Sequence, residues 1–176
     1  NGMTFDEPVV VSEGFGKARN PVVVPGTQGG FWVAWESYAN GKFGICLKNY
    51  SSGDWGETIF FSEDGGNIYS PALACDENGR VWVAYSQVEP GGTCVVLTYY
   101  EPDSGDKGER IRIASWLYPP SGIAHMNSYP TVCCDVQGRV WVAWQHNDEG
   151  QQIPCYFGLR AISAVCWDGS RLSHVK

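Results

Sequence analysis

Val81-Trp82-Val83-Ala84-Tyr85 is the stretch that decides how this chain is read. Two near-copies of it occur, Phe31-Trp32-Val33-Ala34-Trp35 and Val140-Trp141-Val142-Ala143-Trp144. Each follows a turn that ends in glycine: Gly26-Thr27-Gln28-Gly29, Asp76-Glu77-Asn78-Gly79 and Asp135-Val136-Gln137-Gly138. An aspartate at the head of such a turn can accept bonds from the backbone ahead of it. The closing glycine supplies the positive φ that a hairpin needs. Before each turn a proline (Pro21, Pro71, Pro130) opens a short apolar run. Along the Trp-Val-Ala-aromatic runs, side chains alternate between two faces, and both faces are apolar. A strand that reads this way is covered on both sides.

A third strand follows in each copy, Phe43 to Tyr50 in the first and Thr93 to Tyr100 in the second. A polar turn and a fourth strand, Trp55 to Phe61, complete the first. The N-terminal stretch Phe5 to Ser12 matches Trp55 to Ser62 at an offset of 50 residues, the spacing that also separates Pro21 from Pro71 and Trp32 from Trp82. Pro130 follows Pro71, and Trp141 follows Trp82, by 59 residues. Four antiparallel strands per repeat, with both faces apolar, predict the blades of a β-propeller. The fold class is therefore all-β, with about three four-stranded blades plus one extra strand in a single partial propeller domain. Its parts are a strand of a closing blade at 4–12 and blades at 20–62, 70–114 and 129–175.

Propellers close with about 4–8 blades, and a blade buries its faces only against neighbours. Two arrangements satisfy that need. Copies can assemble as a dimer of half-propellers, the leading strand of one pairing with the last blade of the other. Alternatively, the chain belongs to a longer propeller.

Composition narrows the partners. With 14% aromatic and 18% charged residues, 22 glycines and 10 prolines, the chain reads as globular and turn-rich. A net charge of -7 argues against a nucleic-acid partner. No apolar window is long enough for a membrane-spanning helix. Seven cysteines, none in C-x-x-C spacing, read as small buried hydrophobes in strands. Cys75/Cys94 and Cys134/Cys155 recur at similar spacings, but in a regular blade each pair would span opposite rims, beyond disulfide reach.

Asn20-Pro21, Gly30-Phe31-Trp32-Val33-Ala34-Trp35-Glu36, Asn40-Gly41-Lys42-Phe43 and Asp54-Trp55-Gly56-Glu57 resemble the blades of bacterial sialidase-like propellers. The resemblance covers about residues 4 to 172 and implies the fold. The family's Asp-box, Ser-x-Asp-x-Gly-x-Thr-Trp, has a partial counterpart in Ser62 to Tyr69, placed between blades rather than between third and fourth strands. The resemblance also implies a catalytic set of three arginines, a tyrosine with a glutamate, and an aspartate. Arg19, Arg80, Arg110, Arg112, Arg139 and Arg160 supply arginines without a motif, and Arg80 and Arg139 read as solvated charges at equivalent hairpin turns.

Length variation marks a candidate site. An insertion, Ser115 to Tyr129, and a long loop, Gln145 to Gln152, both fall at one rim of the third repeat. Extended loops on a rigid scaffold are where binding concentrates. The predicted lining is Trp116, Tyr118, His125, Tyr129, His146, Asp148 and Glu149. Aromatics with carboxylates suit a sugar, through stacking and hydrogen bonds. No catalytic residue, metal or cofactor is expected, since the histidines lack ligand spacing and no nucleophile-elbow motif occurs. The function expected is a non-catalytic binding or scaffold module for a carbohydrate or protein. The alternative is a glycan-processing hydrolase of sialidase type or a fragment of one. An extracellular or secreted location is favoured.

Overall fold

The computed structural model describes residues 7–14, 16–27, 29–63, 66–90, 92–114, 125–147 and 160–174. They form fourteen strands and no helix. Three successive meanders repeat one strand order. In the first, β1 (Ala18–Pro25), β2 (Phe31–Ala39) and β3 (Lys42–Ser51) pair antiparallel, and a broken fourth strand, β4 (Asp54–Trp55) and β5 (Ile59–Phe61), lines the outer edge of β3. The second repeats this with β6 (Ile68–Cys75), β7 (Val81–Glu89), β8 (Gly92–Glu101), β9 (Asp106–Lys107) and β10 (Ile111–Ala114). The third has β11 (His125–Cys134), β12 (Val140–Asn147), β13 (Arg160–Trp167) and β14 (Leu172–His174). A short parallel pairing, His125 with Gly92 and Met126 with Thr93, joins β11 to β8.

The turn chemistry is as the sequence predicts. Asp76 Oδ1 accepts from the backbone N–H of Asn78 and Arg80 at 3.0 and 3.1 Å, and Asp135 Oδ1 does the same for Gln137 and Arg139 at 2.9 and 3.0 Å. Each first strand carries a bulge at its proline, between Arg19 and Val22, Tyr69 and Ala72, and Ser128 and Thr131. The residue before each proline, Asn20, Ser70 or Tyr129, sits at φ 52–54°. A left-handed residue in a strand re-aims the chain at the cost of one ladder position.

Facing is directional. One core packs Trp32, Ala34, Ile45, Leu47 and Phe61 of the first meander against Ile68, Val81, Val83, Tyr85 and Val96 of the second. The other packs Ala74, Trp82, Ala84, Val95 and Leu97 of the second against Val132, Val140, Val142, Trp144 and Val165 of the third. The Trp-x-Ala side of each unit thus meets the Val-x-Val side of the next. The reading that both faces of the central strand are buried holds for β7, which is enclosed from Val81 to Gln87, whereas Phe31 and Val33 of β2 and Trp141 and Ala143 of β12 are half-buried.

Residues 7–12 of the predicted leading strand belong to no sheet, and Val9 and Val10 are 68% and 73% exposed. A strand needs a partner edge, and no described strand pairs with them.

Cys46, Cys75, Cys94, Cys133, Cys134 and Cys166 are free thiols. Cys75 and Cys94 therefore form no disulfide, and Cys155 lies outside the described residues. Burial raises the thiol pKa of Cys46 to about 11 and of Cys94 to about 12. Neither presents thiolate at neutral pH. Alkylation at pH 8 should therefore leave both unmodified in the folded chain and label them in denaturant. Labelling of either at the denatured rate under native conditions would contradict this packing.

Candidate functional site

Antiparallel order puts the β2–β3 and β7–β8 turns and the inter-unit linkers at one rim. The β1–β2, β6–β7, β11–β12 and β3–β4 turns lie at the other. The predicted lining belongs to the first rim. Trp116, Tyr118, Asp148 and Glu149 lie outside the described residues. His125 opens β11. Tyr129 is 58% exposed, and its backbone N–H donates to Ser86 Oγ at 3.2 Å. His146 Nδ1 lies 2.9 Å from Ser163 Oγ on the neighbouring strand. These three positions are all on the first-rim half of the third unit.

Two polar networks that no motif announced sit at this rim. Glu36, 1% exposed, accepts from Arg19 Nε at 2.6 Å, and from Asn20 Nδ2 and the Ser70 backbone N–H at 2.7 Å each. It thereby ties the first unit to the left-handed residue that opens the second. The Arg19 guanidinium lies 4.4 Å from the Phe43 ring centroid. In the second network, the Tyr85 hydroxyl donates to Glu63 Oε1 at 2.6 Å, and Arg110 Nε reaches the same oxygen at 2.8 Å. Arg110 also donates to Gln87. A tyrosine, a glutamate and an arginine are constituents of the catalytic set the resemblance implies. Tyr85, however, is fully buried, and burial raises its pKa above the ordinary phenol value. A hydroxyl enclosed in this way holds the Glu63 carboxylate in place and is out of reach of a substrate.

The opposite rim carries a cleft between the second and third units. Its volume is about 360 Å³, within the roughly 300–1,000 Å³ range of ligand pockets. Asp76, Glu77, Asn78, Arg80, Trp82, Tyr99, Glu109 and Ile111 line one wall, and Gly138, Trp167 and Gly169 the other. Its shape follows from the turn. Trp82 Nε1 donates to Asp76 Oδ2 at 3.0 Å, fixing the indole at the turn's base. Tyr99 crosses it edge-on, with ring centroids 5.2 Å apart. The Arg80 guanidinium lies 4.4 Å from the Tyr99 centroid, and its Nε donates to Glu101 at 2.8 Å. That hydrogen bond is the main reason its pKa rises above the ordinary value. Arg80 is therefore a stacked, oriented cation and not the solvated charge its turn position suggests. Glu77 and Glu109 are exposed at the mouth.

The third unit carries the same arrangement with one wall. Trp141 Nε1 donates to Asp135 Oδ2 at 2.8 Å, and Arg139 lies 5.4 Å from the Trp141 centroid. The indole bond is the first reason that the Asp135 carboxyl is lowered to about 2. A smaller cleft of about 170 Å³ repeats the position between the first and second units, with Asn49 in place of Tyr99. Sequence reading missed this rim because its loops are short; the signal was the Asp-x-x-Gly-Arg-x-Trp spacing, present at Asp76 and Asp135. Among the described residues no group of acidic, histidine and cysteine side chains is placed to hold a metal, and no helix is long and apolar enough to cross a membrane.

No protein-family model matches the chain, and no curated sequence does. Solved structures define the class through the fold. The chain is similar to a Hadza microbial sialidase, Hz136, with a TM-score of 0.64 and 14% identity over 88% of this chain and 36% of that one. It is also similar to an endo-arabinase from Bacteroides thetaiotaomicron VPI-5482, with a TM-score of 0.60 and 15% identity over 90% of this chain and 60% of that one. An ulvan lyase of polysaccharide lyase family PL25 gives 0.58 and 12%, over 89% and 43%. The chain thus spans between about a third and three fifths of the length of these structures. At such identities the likeness establishes a propeller-type all-β fold.

Proposed function

We propose that the chain is a carbohydrate-binding propeller module that engages a neutral saccharide in the cleft between its second and third units, without cleaving it. The observation that carries this reading is the aromatic lining: Trp82, Tyr99 and Trp167 around one cleft, with an oriented guanidinium and open carboxylates at its mouth. Ring faces pack against the C–H faces of a sugar, and fixed polar groups select its hydroxyls. Glu77 and Glu109 beside a single, already paired Arg80 disfavour an anionic sugar. The similar structures, a sialidase, an arabinase and an ulvan lyase, are themselves glycan-acting proteins, which agrees with this reading and with an extracellular location.

Titration with neutral and sialylated oligosaccharides, followed by tryptophan fluorescence, should give saturable binding for a neutral glycan and no released product. Glu109→Ala and Arg80→Ala should each weaken binding about tenfold, the loss of about one charge-assisted hydrogen bond. Binding indifferent to both substitutions would remove the site. Release of sugar by the parent chain would overturn the non-catalytic part of this reading.

A further inference from the structure

Equivalent positions in the three units differ sharply in exposure at the two ends of the stack. Ile45 and Val95 are 0% exposed on the sides that meet the next unit, whereas Ile162, at the same register in the third unit, is 70% exposed. On the opposite side, Val132 is 8% exposed in the third unit and its counterpart Val23 in the first is 68% exposed. Ile162 shares its face with Trp141, Ala143, Ala164 and the exposed Cys133. It is the Trp-x-Ala side, and both other copies of that side are covered by a Val-x-Val side. The first unit presents a free copy of the latter in Val23, Phe31 and Val33. Each end of the stack therefore shows the counterpart of the other.

Among the described residues the outer edge of β13 is also incomplete. In the first unit β5 pairs Ile59 with Leu47, Phe60 with Cys46 and Phe61 with Ile45. In the second, β10 pairs Ile111 with Leu97, Arg112 with Val96 and Ala114 with Val95. In the third, β14 reaches only Val165 to Trp167, so Ala164, Ser163 and Ile162 have no outer strand among the described residues. The chain carries an unpaired segment, Val9-Val10-Val11, at the 50-residue offset from Ile59-Phe60-Phe61. The structure supports that register. A Cβ on Gly16 would meet Tyr38 O at 2.6 Å, as one on Gly66 would meet Val88 O at 2.5 Å. The residues entering the first unit thus follow the path of those entering the second.

We propose that a second copy of this chain docks head to tail on the third unit and completes β13 by strand addition. Val9, Val10 and Val11 of one copy pair with Ala164, Ser163 and Ile162 of the other. Val23 and Val33 of the incoming first unit cover Trp141 and Ala143. This joins main-chain bonding at an open edge to burial of two apolar faces, the two drives that strand addition combines. The contact is heterologous, and a two-fold arrangement of two such contacts closes without leaving a free end. It also supplies the missing wall beside Asp135, Arg139 and Trp141, where the incoming Gly29 takes the place of Gly138 in the full cleft. The inference rests on the strand repeat and stands independently of the saccharide reading.

Light scattering after size exclusion, on the full chain at tens of micromolar, should give twice 19.3 kDa. Cys133 should alkylate slowly in that species. Ile162→Asp and, separately, Val10→Asp should each halve the mass and expose Cys133, with the far-ultraviolet spectrum unchanged. Both side chains are exposed in the single chain, so neither substitution threatens its fold. A parent chain that remains at 19.3 kDa, or a dimer in which both variants keep the parent mass and Cys133 stays reactive, overturns the proposal. Loss of saccharide binding with the dimer intact would leave the interface standing and remove only the cleft.

Discussion

Glu36→Ala should be among the most damaging single substitutions in this chain, lowering stability by about 2–4 kcal/mol. Glu36 is 1% exposed and its two oxygens accept three hydrogen bonds. One donor is the backbone N–H of Ser70, fixed by the left-handed residue and bulge that open the second unit. Alanine leaves that N–H without its acceptor, and the Asn20 amide with it. Arg19 is half exposed and regains water, so the full cost of an orphaned buried ion pair is not reached. Glu36→Gln keeps one oxygen and should cost less than half as much. The second unit offers an internal scale: Ser86 Oγ accepts the equivalent N–H, from Tyr129, at 3.2 Å, and Ser86→Ala should cost about 1 kcal/mol. Urea denaturation midpoints order the three variants. Glu36→Ala within about 0.5 kcal/mol of the parent, the ordinary range for a surface change, would show that the network is not holding the junction.

Trp82→Ala should cost about 3–5 kcal/mol, the range for emptying an aromatic core position, and should abolish saccharide binding. The indole is 5% exposed, packs in the core between the second and third units, and is one wall of the cleft. Trp82→Phe separates the two roles. It keeps most of the buried ring and removes the N–H that Asp76 Oδ2 accepts. Asp76 retains the backbone donors of Asn78 and Arg80, so the expected loss is about 1 kcal/mol. Binding should fall further than stability in this variant, because the ring loses its anchor at the cleft. Equal, small effects on both from Trp82→Phe, with Trp82→Ala also mild, would place the cleft's energetics elsewhere.

The repeat makes most of the fold legible in the sequence. The alternation in Val81 to Tyr85, the turn at Asp76 to Gly79 and the offset between Pro21 and Pro71 each reflect local physics: side-chain parity, a carboxylate over its own turn, a proline at a strand opening. Those signals are carried by neighbours in sequence. The polar junctions were not legible, because they join residues distant in the chain. Nothing beside Glu36 announces that its partners include Ser70, 34 residues on. Tyr85 and Glu63 meet across a linker whose own sequence only half matches a known motif. The cleft was missed for a related reason. Loop length drew attention to Ser115 to Tyr129 and Gln145 to Gln152, whereas Arg80, Trp82 and Tyr99 converge from short turns and strand ends. Arg80 looked solvated because its sequence neighbours are polar; the ring that orients it comes from β8.

The constant facing of the units has a meaning for inheritance as well as for packing. Every junction places a Trp-x-Ala surface against a Val-x-Val surface, so each unit is a brick with an unlike front and back. A stretch of 50 residues, such as the span from Pro21 to Pro71, could be duplicated or deleted in the gene and still leave every remaining front against a back. Units can then diverge one at a time, as Asn49 and Tyr99 already have at equivalent places, while the joints between them stay interchangeable.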